Sequence, residues 1–287
     1  MSELVTLGRG APIDEEKLRR KQDRLFEILR GLRRVLVAYS GGTDSAYLAW
    51  AASEALGADS IAVTADSPSI PESHKRDAVD FAIQFGFRHE MIPTREFDTE
   101  AYAANNPDRC FHCKDELFTR MEELAAAHPE HVMVYGVNSD DLGDYRPGQN
   151  AAKIHEVKAP LVEAGLCKAE IRELSRLAGL PTWDRPAAAC LSSRIPYGTR
   201  VTPERIRRVE LAEEYVKELG FRQFRVRFQD ETARIELARE EMARALSLET
   251  FEALSAAVKR AGFKYASLDL DGYRQGAMNE VLDLKRP

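Results

Sequence analysis

VLVAYSGGTDSAYLAW, residues 35–50, decides how the rest of this chain is read. Residues 35–39 form an apolar, β-branched run of the kind buried in a parallel sheet. Two glycines interrupt the run, and from residue 45 apolar positions return at helical spacing. A helix that starts beyond the carboxyl end of a parallel strand aims unpaired N–H groups at the crevice where ligands bind. Gly41 and Gly42 permit a tight turn and close backbone approach, and Ser40 and Ser45 add hydroxyl donors, so the corner can cradle an oxyanion. No Lys follows the glycines as in a Walker A loop, and G-x-G-x-x-G spacing is absent. Asp44 narrows the choice: a carboxylate beside a triphosphate repels it unless a divalent cation bridges them, which points to Mg2+. The plainer reading is a strand-to-helix turn in which Asp44 or Ser45 caps the helix.

Outward from this corner, short β-branched runs recur at SIAVTADS (60–67), HEMIPT (89–94) and HVMVYGVN (131–138), separated by helical stretches at 45–56, 72–85 and 109–127. Strand alternating with helix predicts an α/β domain, a parallel sheet with helices on both faces. Leu18, Leu25, Ile28, Leu29 and Leu32 predict an amphipathic helix before the first strand, and KAEIRELSRLAGLP supplies another, stopped by Gly179 and Pro181. Past residue 200 the order becomes helix (203–219), strand FRQFRVRFQ, strand TARIELA, a long helix over 239–261, and strand KYASLDL. That order predicts a small α+β domain with an antiparallel, roughly ferredoxin-like sheet. YGTRVTP marks the boundary, giving residues 1–198 as the nucleotide-binding domain and 199–287 as a domain for substrate binding or oligomerisation.

With 287 residues, 44% of them hydrophobic, the chain can bury a sizeable core. Its 41 basic and 47 acidic residues leave a net charge of −6, which removes the bulk attraction that nonspecific nucleic-acid binders use. The first thirty residues hold no apolar signal region, and no stretch approaches the ~18–20 apolar residues of a membrane span, so a cytoplasmic protein is expected. Four cysteines are too few for a disulfide scaffold in a chain of this length.

Cys110 and Cys113 sit in NNPDRCFHCKDELF at a helix start, where two thiolates share a face and the helix N-terminus lowers their pKa. They also extend a stripe with Leu117, Met121 and Leu124, so small core residues are the competing reading. Cys190, in the irregular PAAACLSSRIPYG, favours function, because loops seldom carry a thiol for packing alone. Three thiolates satisfy a 4Fe-4S cluster except at one iron, which leaves a position for an exogenous ligand such as hydrosulfide. A zinc ion would take a fourth ligand, for which His112 stands between the pair. Cys167 reads as packing.

In its strand–helix setting SGGTDS resembles the PP-loop of the ATP pyrophosphatases. That resemblance implies that Ser40, Gly41, Gly42, Thr43, Asp44 and Ser45 hold pyrophosphate and Mg2+, and that residues 64–67, Asp66 among them, lie near the adenosine of ATP. Four further segments extend the likeness: GVNSDDLGDYRPG (136–148), KAEIRELSRLAGLPTWDRPAAACLSSRIPYG (168–198), FRVRF (224–228) and LDLDGYRQGAMN (268–279). Together they closely resemble the LarE-type sulfur transferases over residues 20–285. The resemblance implies that a carboxylate of pyridinium-3,5-biscarboxylic acid mononucleotide is adenylylated and then converted to a thiocarboxylate, in maturation of the nickel-pincer cofactor of lactate racemase. In one subtype the cysteine matched by Cys190 gives up its own sulfur; in the other, three cysteines hold a cluster. Cys110, Cys113 and Cys190 look like the cluster pattern. Ser193 and Arg194, beside Cys190, are candidate ligands for the substrate phosphate. So are Arg225 and Arg227, which share one strand face, with a solvated sheet face as the plain alternative. Arg274 and Asp141 are weaker candidates, since a surface ion pair explains either. The family also implies a homo-oligomer, a trimer of dimers. The nearest rival is a PP-loop tRNA thiolase, opposed by the acidic net charge and by the lack of further CxxC pairs.

Overall fold

The structure, a computed structural model, describes residues 14–143, 147–186 and 189–274. Parts of the acidic turn at 144–146, of the run before Cys190 at 187–188 and of the ending at 275–279 lie outside the described residues. The elements are α1 (Glu15–Leu32), β1 (Val35–Ala38), α2 (Thr43–Leu56), β2 (Ser60–Asp66), α3 (Glu72–Phe85), β3 (Arg88–Pro93), α4 (Glu100–Ala103), α5 (Arg109–Ala127) and β4 (Val132–Tyr135), followed by α6 (Pro147–Ile154), α7 (Pro160–Glu163) and α8 (Lys168–Leu177). Then come α9 (Pro203–Glu218), β5 (Phe224–Gln229), β6 (Thr232–Leu237), α10 (Arg239–Ala245), α11 (Leu248–Arg260) and β7 (Tyr265–Leu268). They form two compact units, one of residues 14–66, 72–94 and 114–186, the other of residues 67–71, 95–113 and 189–274.

In the first unit all four predicted strands pair in parallel, in the order β3-β2-β1-β4. Each residue of β1 is buried, as a central strand covered by helices requires. The core gathers Val35 and Val37 of β1 with Tyr47, Leu48 and Ala52 of α2, Leu18, Leu25 and Leu29 of α1, and Ile171 and Leu174 of α8. Asp14 starts α1 by accepting from the N–H groups of Glu16 and Lys17 at 3.0 and 3.1 Å. The chain runs from β1 out to β3 and returns on the other side of β1 as β4. The loops leaving β1 and β4 therefore part at the switch point, where open α/β sheets bind ligands.

The second unit departs from the sequence reading in two places. Its sheet, β5-β6-β7, is mixed: β5 pairs with β6 antiparallel, but β7 lies parallel to β6. The connection explains this, because a strand that returns through a helix enters the sheet in the same direction. The single long helix predicted over 239–261 is two helices, α10 and α11. Ser247 divides them, its hydroxyl accepting from Thr250 N–H at 3.1 Å as the cap of a new helix. Val209, Ala212 and Val216 of α9 pack with Val226, Phe228, Ile235, Leu254 and Val258 as the core. Among the described residues no helix is long and apolar enough to cross a membrane.

One pH dependence follows from the first unit. His155, just past α6, sets Nδ1 2.8 Å from Glu122 Oε1 and Nε2 3.0 Å from Asp115 Oδ1. Burial depresses its pKa, yet the hydrogen bonds and charges of Glu122 and Asp115 outweigh burial and hold it above the ordinary histidine value of 6.5. A raised folded pKa gives stability that is complete below the unfolded value and lost as pH rises through the folded one. His155→Gln is expected to lower Tm most below pH about 6.5, with the gap to wild type closing as pH is raised. A gap that is flat with pH would show that the two contacts carry no protonation linkage.

Candidate functional site

The loop after β1 has the backbone geometry that an oxyanion cradle requires. Gly41 has φ +73°, the left-handed region that glycine enters without steric cost, and Gly42 follows in an extended conformation as the cap of α2. Because the cap is Gly42, α2 starts at Thr43, two residues before the predicted start, and Asp44 stands inside its first turn. Ser40 and Ser45 close the loop: Ser45 Oγ accepts from Ser40 N–H at 3.2 Å, lies 3.0 Å from Ser40 Oγ and donates to Gly42 O at 3.1 Å. Thr43 Oγ1 donates to Thr182 O at 2.8 Å, tying the loop to the turn after α8.

Asp44 is the one acidic residue of the corner. Its Oδ2 accepts from Asn138 Nδ2 at 3.1 Å, whereas Oδ1 is buried with no hydrogen-bond partner among the described residues. Burial raises its pKa above the usual carboxylate value, and Lys168, Asn138 and Arg172 only partly offset this while Asp141 adds to it. An oriented, incompletely satisfied carboxylate oxygen beside a helix N-terminus is the donor that a Mg2+ bridging to phosphate requires. The donor chemistry fits the ion.

Asn138 and Gly136, in the loop leaving β4, escaped the sequence reading as individual residues. A Cβ on Gly136 would stand 2.8 Å from Ser45 Cα and 2.9 Å from Ser45 N, so a glycine here is what lets α2 begin against β4. Only their shared position at the switch point identifies them. Asp141, buried, accepts from Asn138 N–H at 3.3 Å through Oδ2. Asp66, at the end of β2, instead pairs with Lys75 at 2.6 Å, on a cleft of about 320 Å3 that also involves Glu72, Arg76, Val79 and Met91.

All three cysteines of the proposed sulfur site belong to the second unit. None of the four cysteines is in a disulfide. Along α5, Leu117 and Met121 are buried, Cys113 is half-buried and packs against the core of the second unit, and Cys110 is exposed, so apolar packing accounts for Cys113 in part and not for Cys110. Burial depresses the pKa of Arg109 and the neighbouring Cys190 and Cys110 raise it, while the Tyr102 pKa is pushed up by burial first and then by Cys190 and Cys113. The three therefore share neighbours, although among the described residues no three Cys, His, Asp or Glu side chains are spaced to hold a metal ion. His112 pairs with Asp108 at 3.4 Å. Cys167 is a helix cap: Glu170 accepts from its N–H at 2.9 Å in a capping box at the start of α8.

The segment around Cys190 is held by buried polar groups. Ser69 O accepts from Leu191 N–H at 2.8 Å, Tyr102 Oη lies 2.6 Å from Ser192 Oγ, and Arg109 donates to Ser192 O at 2.8 Å. Cys190 O accepts from Ser193 Oγ at 2.7 Å and from Arg194 Nη1 at 2.9 Å. Arg194, only 3% exposed, also makes a two-point pair with Glu213 at 2.9 and 3.0 Å. Arg227 bridges Glu236 and Ser193 O, at 2.8 and 2.9 Å. Arg225 lies over the Tyr273 ring, its pKa lowered by burial and then by the charge of Arg194. Arg274 is exposed. Sequence reasoning missed buried Glu96, which accepts from Ser67 Oγ, and with it the polar frame of residues 67–71.

No family model matches the chain. It is 33% identical over 263 residues, 91% of its length and 95% of the relative's, to the pyridinium-3,5-bisthiocarboxylic acid mononucleotide synthase of Lactiplantibacillus plantarum. The chain belongs to this synthase family, the LarE family. Other relatives are an uncharacterised protein of Synechocystis, 42% identical over 92% of the chain and 99% of the relative, and one of Methanocaldococcus jannaschii, 25% identical over 84% and 91%. Their coverage spans both units, so the likeness is not confined to the loop after β1.

Proposed function

We propose that this LarE-family protein is an ATP-dependent sulfur transferase acting on pyridinium-3,5-biscarboxylic acid mononucleotide in nickel-pincer cofactor biosynthesis. The observation that carries the reading is the loop after β1: a glycine cradle at a helix N-terminus with the incompletely satisfied Asp44 inside it, in a chain related over 91% of its length to the synthase. A carboxylate oxygen of the substrate attacks the α-phosphorus of ATP, the bond to the bridging oxygen breaks, and pyrophosphate leaves. Gly41, Gly42, Thr43 and Ser45 would hold the departing phosphates, and Asp44 would hold the Mg2+ that neutralises them. Hydrosulfide then attacks the acyl carbon, and AMP departs with the oxygen that bridged it to that carbon, leaving a thiocarboxylate and a proton.

Cys110, Cys113 and Cys190 are proposed as thiolate ligands of a 4Fe-4S cluster, which when bound would present hydrosulfide at its open iron. Their membership of one unit and their shared neighbours Arg109 and Tyr102 support this. Arg194 with Ser193 holds the Cys190 backbone. We further propose a cytoplasmic homo-oligomer, in keeping with the family resemblance.

The test is anaerobic purification with iron and sulfide analysis, then assay of acceptor-dependent pyrophosphate release and of thiocarboxylate by mass. Iron and sulfide bound to the chain, with repeated turnover, are expected. Absence of iron with conversion of Cys190 to dehydroalanine would replace the cluster by sacrifice of the cysteine sulfur.

Asp44→Asn separates metal chemistry from folding. Pyrophosphate release is expected to fall by roughly 100- to 1,000-fold. Because burial disfavours the Asp44 charge, a neutral isostere that keeps the Asn138 contact is expected to raise Tm without metal. Mg2+ with ATP should raise Tm of wild type and leave this variant unmoved. A shift of equal size in both would remove Asp44 from the metal site.

A further inference from the structure

The loop after β1 has no lysine of its own, yet pyrophosphate leaves it carrying several negative charges. A cation is supplied from elsewhere in the same unit. Arg185, 144 residues beyond Gly41, donates from Nη1 to Gly41 O at 3.0 Å and from Nη2 to Asp77 Oδ2 of α3 at 2.7 Å. A Cβ on Gly41 would lie 3.8 Å from Arg185 Nη1, so the guanidinium stands against the backbone of the cradle. The turn that carries it is fastened on both sides. Thr43 donates to Thr182 O, Arg185 N–H donates to Thr182 O at 3.2 Å, and Arg172 holds Trp183 O and Arg185 O at 2.7 Å each.

We propose that Arg185 is the phosphate-contacting cation of this loop, binding the β- and γ-phosphates of ATP and the pyrophosphate that departs. The assignment rests on the adenylylating reading above and deepens it. A guanidinium has five N–H donors in a planar fork, and the contacts to Gly41 and Asp77 engage two of them. The side chain is about one-third exposed, so it is open to a ligand. Asp77 fixes the plane of the fork, and Lys168 and Arg172 add to the positive surround of Asp44. The rival is a brace that only shapes the loop.

Titration of the full chain with Mg2+ and ATP, pyrophosphate or AMP separates the two. For Arg185→Gln, affinities for ATP and pyrophosphate are expected to fall roughly 10- to 100-fold while AMP affinity stays unchanged. Arg185→Lys, which keeps the charge and loses the fork, should fall between, and Asp77→Asn should bind ATP at least as tightly as wild type. Parallel loss of ATP and AMP affinity, reproduced by Asp77→Asn, would make Arg185 a brace. Equal ATP binding by wild type and Arg185→Gln would overturn the proposal and leave the adenylylating reading standing. A wild-type chain that binds neither ATP nor pyrophosphate would end both.

Discussion

Gly136→Ala is expected to lower acceptor-dependent pyrophosphate release by about 100-fold and to destabilise the protein by about 1–3 kcal/mol. The added methyl would meet Ser45 Cα at 2.8 Å and Ser45 N at 2.9 Å. Both are backbone atoms of the first turn of α2, so relief requires moving the turn itself rather than a flexible side chain. That turn carries Asp44 and the hydroxyl of Ser45, which closes the loop on Ser40. Displacement of a positioning element by a fraction of an ångström is enough to misalign a reacting phosphate. Gly31→Ala supplies the control. It lies in α1, outside the loop, and its Cβ would meet nothing within 4 Å. Urea unfolding and a pyrophosphate assay on both variants make the comparison. Wild-type release by Gly136→Ala would mean that β4 and α2 separate without consequence, against the packing argument.

Cys190→Ala is expected to reduce thiocarboxylate formation by roughly a thousand-fold or more while leaving ATP-dependent pyrophosphate release near wild type. The two effects part because the loop proposed to activate the acceptor belongs to the first unit and Cys190 to the second. The backbone around Cys190 is held by Ser69 O, Arg109, Ser193 and Arg194 through main-chain atoms, contacts that a Cβ-only side chain keeps. The variant should therefore fold. Cys110→Ala and Cys113→Ala are expected to remove bound iron together with sulfur transfer. Cys167→Ser, altering a helix cap, should spare both. Full product formation by Cys190→Ala would exclude the thiol from sulfur delivery, and loss of pyrophosphate release with it would show that the variant acts through folding.

The sequence already carried the four parallel strands, because runs such as VLVAYS and SIAVTADS are apolar on both faces and separated by helical periodicity. The glycine corner was equally legible, since Gly, Ser and Asp at those spacings express a local backbone requirement. Sequence order failed at β7, where strand direction follows from the path of α11. It failed again at 239–261, where one hydroxyl at Ser247 interrupts a helical pattern. Gly136, Asn138, Arg185 and Glu96 were illegible for a different reason: each acts on a partner far away in the chain or across a strand boundary, and no period or motif encodes such a meeting.

The sequence by itself therefore carried the features on which the proposed chemistry rests: a glycine corner with Asp44 and no lysine, and three cysteines outside any disulfide pattern. Tertiary structure alone decided how that corner is furnished. It set β4 beside β1 so that Gly136 admits α2 and Asn138 reaches Asp44, leaving one oxygen unsatisfied. It also brought Arg185 back to Gly41. Local propensity fixes backbone shape within a few residues, whereas the charge and hydrogen-bond balance of a buried carboxylate depends on groups that only folding brings within a few ångströms.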